Sequence, residues 1–152
     1  SCASHIKHGY PRLLEGADPK TRAAMEKFCS RVTDLSSFLK DTLGYRDNDF
    51  EKSGEKVCYH SPCHLCRGMG VTEQPRALMA AAGVYLPTEE EDVCCGFGGT
   101  YSVKFPEIST RLLEKKLSRL EESGAETLVT DCPGCVMQLR GGEEKRGKKL
   151  KV

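Results

Sequence analysis

Five cysteines fall in a pattern that constrains where this chain must bring its backbone together. Cys63 stands alone, Cys94 and Cys95 are adjacent and followed by Gly96, and Cys132-Pro133-Gly134-Cys135 closes the set. Thiolates are the ligands that soft metals and iron–sulfur clusters select. If the five act together, segments distant in sequence converge on one point. Tetrahedral zinc or a cubane cluster takes four such ligands, so five thiols exceed either need.

The bulk numbers narrow the classes. The 152 residues fit one ordinary domain. Charged residues are 30% and hydrophobic residues 38% of the chain, and no run approaches the roughly 18 apolar residues of a membrane span. A net charge of +1 argues against nucleic acid or an acidic lipid surface as the main partner. Nine cysteines suit a secreted disulfide scaffold, but the count is odd, the chain is long enough for a core and no signal peptide opens it. Metal binding in a reducing cytoplasm is the better reading. Ser1 at the start, and Lys148-Lys149-Leu150-Lys151-Val152 reading as a strand that begins as the chain stops, suggest a fragment of a longer polypeptide.

Residues 1–17 read as irregular. Asp18-Pro19 signals a helix start, a capping carboxylate followed by proline at the first helical position. Met25, Phe28, Val32, Leu35 and Leu39 then alternate at spacings of three and four, the stripe of one long helix ended by Gly44, with Cys29 beside it. Val57-Cys58-Tyr59-His60 reads as a short buried strand that delivers Ser61-Pro62-Cys63-His64. A helix from Pro75 to Ala82 and a strand at Val84-Tyr85-Leu86 follow. The acidic run Glu89 to Asp92 reads as a solvated loop leading into Cys94-Cys95 and the flexible turn Gly96-Phe97-Gly98-Gly99. Pro106 opens a helix with Ile108, Leu112, Leu113, Leu117 and Leu120 on its apolar face. Thr127 to Thr130 is a third strand, delivering Asp131-Cys132. Strands alternating with helices imply an α/β fold with a largely parallel sheet flanked by helices, and the cysteine ligands sit at the carboxyl ends of the strands.

Each candidate has a bland alternative. Cys29 and Cys58 read as small buried hydrophobes. His60 and His64 flank Cys63 and read as locally hydrogen-bonded, with charge tuning or proton passage as the functional option. Lys145, Arg146, Lys148 and Lys149 read as a solvated turn. Cys63-x-x-Cys66 with Cys132-x-x-Cys135 forms a four-cysteine zinc scheme on paper. The two pairs lie much further apart than in a zinc ribbon, and Cys94-Cys95 is left over. Adjacent cysteines point in different directions, so Cys94 and Cys95 are expected to reach different metal atoms.

The motif Cys63…Cys94-Cys95-Gly96…Cys132-Pro133-Gly134-Cys135 resembles the cysteine-rich CCG domain found in heterodisulfide reductase, in glycolate oxidase iron–sulfur subunits and in anaerobic glycerol-3-phosphate dehydrogenase. Tyr59-His60-Ser61-Pro62-Cys63-His64, Glu73-Gln74-Pro75-Arg76-Ala77-Leu78 and the string from Cys94 to Glu107 are similar to the lactate-utilisation iron–sulfur subunit. The likeness is strong over residues 57–142 and weak before them.

That resemblance implies a cytoplasmic electron-transfer subunit of a 2-hydroxy-acid dehydrogenase complex, acting on L-lactate or glycolate beside other iron–sulfur and flavin subunits. It implies a [4Fe-4S] cluster, non-cubane in type, on Cys63, Cys94, Cys95, Cys132 and Cys135, with no ligand role for Cys66. The isolated fragment is not required to retain it. Family members carry two motifs in tandem, and Ser1-Cys2-Ala3 resembles the close of a first one. Residues 1–50 are then an N-terminal segment with a long helix, and 51–152 the CCG domain, truncated at its C-terminus. A heterodisulfide reductase-like redox module is the alternative within the class, and a zinc-binding structural or interaction domain the alternative outside it.

Overall fold

Val57, Cys58 and Tyr59 are buried in succession without polar alternation, the signature of a strand covered on both faces. They form β1 (Lys56–Tyr59), the centre of a three-stranded parallel sheet in the order β2-β1-β3, with β2 at Val84–Tyr85 and β3 at Thr127–Val129. Lys56 pairs with Val84 on one side, and Val57, Cys58 and Tyr59 pair with Thr127, Leu128 and Val129 on the other. This computed structural model describes residues 2–147 and 150–152. Parallel strands need crossover connections. Here α4 (Cys63–Met69) and α5 (Glu73–Ala82) link β1 to β2, while α6 (Thr100–Lys104) and α7 (Pro106–Glu122) link β2 to β3. After β3 comes α8 (Pro133–Lys145). The architecture is the expected α/β one, a small parallel sheet flanked by helices.

The core lies between the sheet and the last two long helices. Leu117 and Leu120 of α7, Leu139 of α8, and Cys58 and Leu128 of the sheet form one cluster with Cys95, Cys132 and Cys135. Cys29 and Cys58 are buried, as expected of small hydrophobes, and burial pushes the Cys58 thiol up to about 11. No helix among the described residues is long and apolar enough to cross a membrane.

Three expectations about the framework are corrected. Residues 2–13 are not irregular but form α1 (Cys2–Leu13). Gly9 and Pro11 give this stretch poor intrinsic propensity, yet Pro11 falls in the last turn, where little of the helix lies beyond it. Its tertiary anchors include His8 Nε2, 2.7 Å from the Gly68 carbonyl oxygen. The long helix after Asp18 is two pieces. Asp18 caps α2 (Pro19–Ser30) as foreseen, accepting from the Lys20 and Thr21 N–H groups, but α2 stops at Ser30. Asp34 then accepts from the Ser37 N–H and starts α3 (Leu35–Ser37), which runs on as a π-turn over Phe38–Thr42. A second capping carboxylate inside the apolar stripe offered the chain a new start. On α7 the buried stripe is rotated: Ile108 is exposed while Ser109 and Lys116 are buried beside Leu117 and Leu120.

At the C-terminal end, Arg146 is not free in a solvated turn. Its guanidinium binds Glu121 Oε2 at 2.9 Å. The expectations for Lys148 and Lys149 lie outside the described residues. Thr127 and Lys151 form an isolated parallel bridge, with the Leu128 N–H donating to the Lys151 carbonyl at 2.7 Å.

Candidate metal centre

The parallel sheet aims two motif segments at one end. Beyond β1, the His60 N–H donates to the Val129 carbonyl at 3.0 Å and prolongs the pairing by one residue. Cys63 then opens α4, after Pro62. Beyond β3, Cys132 is the N-cap residue of α8, Pro133 follows, and Cys135 lies in the first turn. The positive end of the α8 dipole therefore faces two thiols and favours their anionic form. Cys94 and Cys95 arrive on the loop between β2 and α6.

The Sγ atoms of Cys95 and Cys135 stand 3.3 Å apart, far beyond a disulfide bond of about 2.05 Å. All nine cysteines are free. The two buried sulfurs are within hydrogen-bonding distance of each other. Hydrogen bonding with Cys135 keeps Cys95 well below the usual thiol range, against the opposing effect of burial. Hydrogen bonding with Cys132 and with Cys95, together with burial, drives Cys135 far above it. Cys95 is thus the natural anion and Cys135 its proton donor.

His60 joins this pair. Its ring, Cys95 and Cys135 place one ligand atom each within 4.8 Å of one another, a donor set suited to a thiophilic metal. His60 is 1% exposed, and its Nδ1 has no hydrogen-bond partner among the described residues. The local hydrogen bonding expected of His60 is present as its side-chain hydrogen bond with Cys95, which lowers the pKa of that thiol. His64 is exposed, and it lines with Cys2, Leu65, Met69 and Cys132 a groove of about 710 Å³.

Cys63 is half-buried; burial pushes its thiol up, and the neighbouring sulfurs Cys94, Cys95 and Cys66 add to the rise. Cys94 Sγ accepts the Gly96 N–H at 3.3 Å, so the adjacent cysteines do face different surroundings. Cys66 Sγ lies 3.9 Å from its own helix's Cys63 carbonyl oxygen. Among the described residues His60, Cys95 and Cys135 gather within 4.8 Å of one another; neither the four sulfurs of the paper zinc scheme nor the five motif sulfurs do so as a set.

The glycine turn is locked into the helices behind it. Gly96 has φ +86°, and a β-carbon there would meet the Ser109 backbone oxygen at 2.5 Å. Ser109 Oγ donates to the Gly96 carbonyl at 2.8 Å, and Gln138 Nε2 lies 3.1 Å from the same hydroxyl, so α7 and α8 both grip the turn.

The acidic run is not a wholly solvated loop. Glu91 is 6% exposed and its carboxylate receives Arg76 Nε at 2.9 Å and the Tyr85 hydroxyl. The Ser61 N–H donates to the Glu91 carbonyl at 3.0 Å, tying this loop to the segment before Cys63. Charge count alone hid Glu91, since nothing distinguishes it from its neighbours in sequence. Lys116 left a signal: it is three residues after Leu113 and four before Leu120, on the apolar stripe itself.

Thiols brought together beside the ends of a parallel sheet define the class, a cysteine-rich α/β domain. Residues 57–140 match the family model of the CCG cysteine-rich domain, and the chain belongs to that family. Among curated relatives, lactate utilization protein A of Oceanobacillus iheyensis is 36% identical over 156 residues, and those of Geobacillus kaustophilus and Shouchella clausii are 36% and 37% identical over 155. Each match covers 100% of this chain and 62%, 63% and 63% of the relative, respectively, so the chain spans less than two thirds of their length.

Proposed function

We propose that this chain is an iron–sulfur electron-transfer module of a 2-hydroxy-acid dehydrogenase complex, with L-lactate as the substrate indicated by its relatives' names. The observation that carries the reading is the buried Cys95–Cys135 sulfur pair, 3.3 Å apart, beside the N-terminus of α8 in a CCG-family domain. Cys63, Cys94, Cys95, Cys132 and Cys135 would hold the cluster, which when bound supplies one-electron transfer.

The chain's own residues prepare that site. Cys95 offers a thiolate without prior deprotonation, while Cys135 must release its proton to become a ligand. The α8 dipole stabilises the anionic sulfurs, and the packed core of Leu117, Leu120 and Leu139 keeps water from their inner side. Oxidation of a 2-hydroxy acid to the 2-oxo acid releases two electrons and two protons. In this reading the substrate bond is broken on a partner subunit, a flavin one by its chemistry, and the electrons pass through this module singly. The complex works in the reducing cytoplasm.

A second reading has its own observation. The compact His60, Cys95 and Cys135 trio suits one zinc ion better than it suits four irons, and would make the domain a structural or interaction module. Anaerobic purification of the full-length protein with iron, zinc and acid-labile sulfide analysis separates the two. Iron and sulfide in comparable amounts, with a brown colour that bleaches on reduction, supports the first. Zinc without labile sulfide, in a colourless protein, refutes it. Bleaching by L-lactate in the assembled complex then tests the substrate.

A further inference from the structure

His60 is pinned beside the thiols by the backbone on both sides of it. Its own N–H donates to the Val129 carbonyl at 3.0 Å, and the N–H of the next residue, Ser61, donates to the Glu91 carbonyl at 3.0 Å. The ring is 1% exposed, and its Nδ1 has no hydrogen-bond partner among the described residues. A buried polar atom without a partner is costly. A metal ion that takes the nitrogen lone pair removes that cost, and neutral imidazole is a common metal ligand.

The spacing of the donors says how many ions they serve. Sulfur and nitrogen donors on one tetrahedral ion, at bond lengths of about 2.0–2.3 Å, stand about 3.3–3.8 Å from each other. The Cys95 and Cys135 sulfurs are 3.3 Å apart, and a ring nitrogen of His60 lies within 4.8 Å of both. That is the spacing of ligands to a shared ion, after the small closure that binding brings. Among the described residues no other motif cysteine joins the trio at this distance. His64, the other histidine beside Cys63, is exposed and lines the neighbouring groove.

We propose that His60 is a metal ligand: its ring nitrogen, with the sulfurs of Cys95 and Cys135, binds one iron of the cluster, while Cys63, Cys94 and Cys132 hold the rest. This rests on the iron–sulfur reading above and adds a nitrogen donor to its five sulfurs. A neutral ring on an iron adds no negative charge to the centre, whereas a thiolate does. Histidine in place of cysteine therefore raises a cluster's reduction potential.

The test uses full-length protein carrying isotope-labelled histidine, prepared anaerobically and studied by pulsed electron paramagnetic resonance in its paramagnetic redox state. Wild type is compared with His60→Cys, His60→Gln and, as a control, His64→Gln. A histidine nitrogen should couple strongly to the cluster spin in wild type and in His64→Gln, and that coupling should vanish in His60→Cys. His60→Cys supplies a soft donor and should keep its iron, with a midpoint potential shifted negative. His60→Gln keeps a hydrogen-bonding group but is a poor ligand, and it should lose most of its iron. No histidine coupling in a wild-type protein that carries iron and labile sulfide overturns the proposal. So does a coupling that persists in His60→Cys or disappears in His64→Gln. Full iron at an unchanged potential in His60→Gln overturns it too, since the ring is then only a hydrogen-bond partner of Cys95. If neither His60 variant folds, His64→Gln decides: retained coupling supports the ligand assignment, and lost coupling overturns it. A wild-type protein without labile sulfide refutes the iron–sulfur reading itself, and the iron assignment with it, so the two failures are told apart.

Discussion

The ring of Phe97 rests on Gly134. A β-carbon at position 134 would stand 2.7 Å from Phe97 Cε1 and 2.8 Å from Cδ1, closer than any real side chain tolerates. The glycine of Cys132-Pro133-Gly134-Cys135 therefore does more than bend the chain. It opens the face of α8 on which the Phe97 ring of the Gly96-Phe97-Gly98 turn packs. Gly134→Ala forces the ring aside. It should destabilise the fold by about 1–3 kcal/mol, the usual result of overpacking a closed site. Phe97→Ala in the same chain should relieve part of that loss. Urea unfolding of both single variants and the double variant reads the coupling; additive losses would show that the two residues do not touch in solution.

Gly96 and Gly99 separate backbone strain from crowding. Both have positive φ, +86° and +60°. A side chain at Gly99 meets nothing within 4 Å, whereas at Gly96 it strikes the Ser109 carbonyl. Gly99→Ala should cost about 1 kcal/mol, the strain alone. Gly96→Ala should cost clearly more and should also reduce metal retention, because the turn that holds Cys95 must move. Equal unfolding midpoints for the two variants would contradict this geometry.

Metal loading should become more favourable as pH rises. In the metal-free protein the Cys135 pKa is held far above the usual thiol range, by the hydrogen bonds its thiol makes with Cys132 and Cys95 and by burial. Below that raised value the thiol is protonated before binding and deprotonated after it, so each loading event expels the proton. Apparent affinity for zinc or ferrous ion therefore climbs with pH through neutrality, by about tenfold per pH unit for each proton released. Calorimetry in buffers of different ionisation enthalpy measures that proton; a pH-independent affinity would show that Cys135 is not a ligand.

What could be read from sequence followed the strength of local signals. β1 was legible because Val57, Cys58 and Tyr59 are apolar in succession, and α2 began where Asp18 and Pro19 said it would. The α/β order followed from those alternations. α1 was not legible, since its stability comes from tertiary packing that Gly9 and Pro11 give no hint of. At the site the cysteine spacing named five thiols, but not the ring beside them. His60 follows directly on a buried strand, and only the register of β1 on β3 turns it toward Cys95 and Cys135. Glu91 was hidden among like charges, and its burial depends on Arg76 from α5, a long-range partner that local pattern cannot supply.

Cutting that long-range pair should be expensive. Arg76 Nε and Glu91 Oε2 stand 2.9 Å apart, with Glu91 buried and Arg76 partly open to water. Removing the arginine leaves a buried carboxylate short of its cation. Arg76→Met should therefore destabilise the protein by roughly 2–5 kcal/mol, and Glu91→Gln by less, because the amide still accepts a hydrogen bond. Thermal unfolding ranks the two. A Glu91→Gln loss as large as that of Arg76→Met would mean that the charge of Glu91, not the burial of an unpaired group, dominates.

Cys66 and Cys132 give the sharpest separation of the two metal readings. Both belong to a Cys-x-x-Cys, so a four-cysteine zinc site makes them equivalent. In the geometry they differ. Cys66 is half-buried, and its sulfur lies 3.9 Å from the Cys63 carbonyl, one turn of α4 away from the motif cysteine. Cys132 is buried at the N-cap of α8 and acts directly on the Cys135 thiol. Loss of a ligand removes a metal–sulfur bond and most of the affinity, whereas loss of a bystander thiol costs only local packing, on the order of 1 kcal/mol. Cys66→Ala should keep its iron and its visible absorption, and Cys132→Ala should lose most of both. The measurement is iron and labile sulfide per chain, with the absorption spectrum, on anaerobically prepared protein. If both variants lose metal equally and that metal is zinc, the five-thiol assignment is wrong and the paired-motif zinc site replaces it.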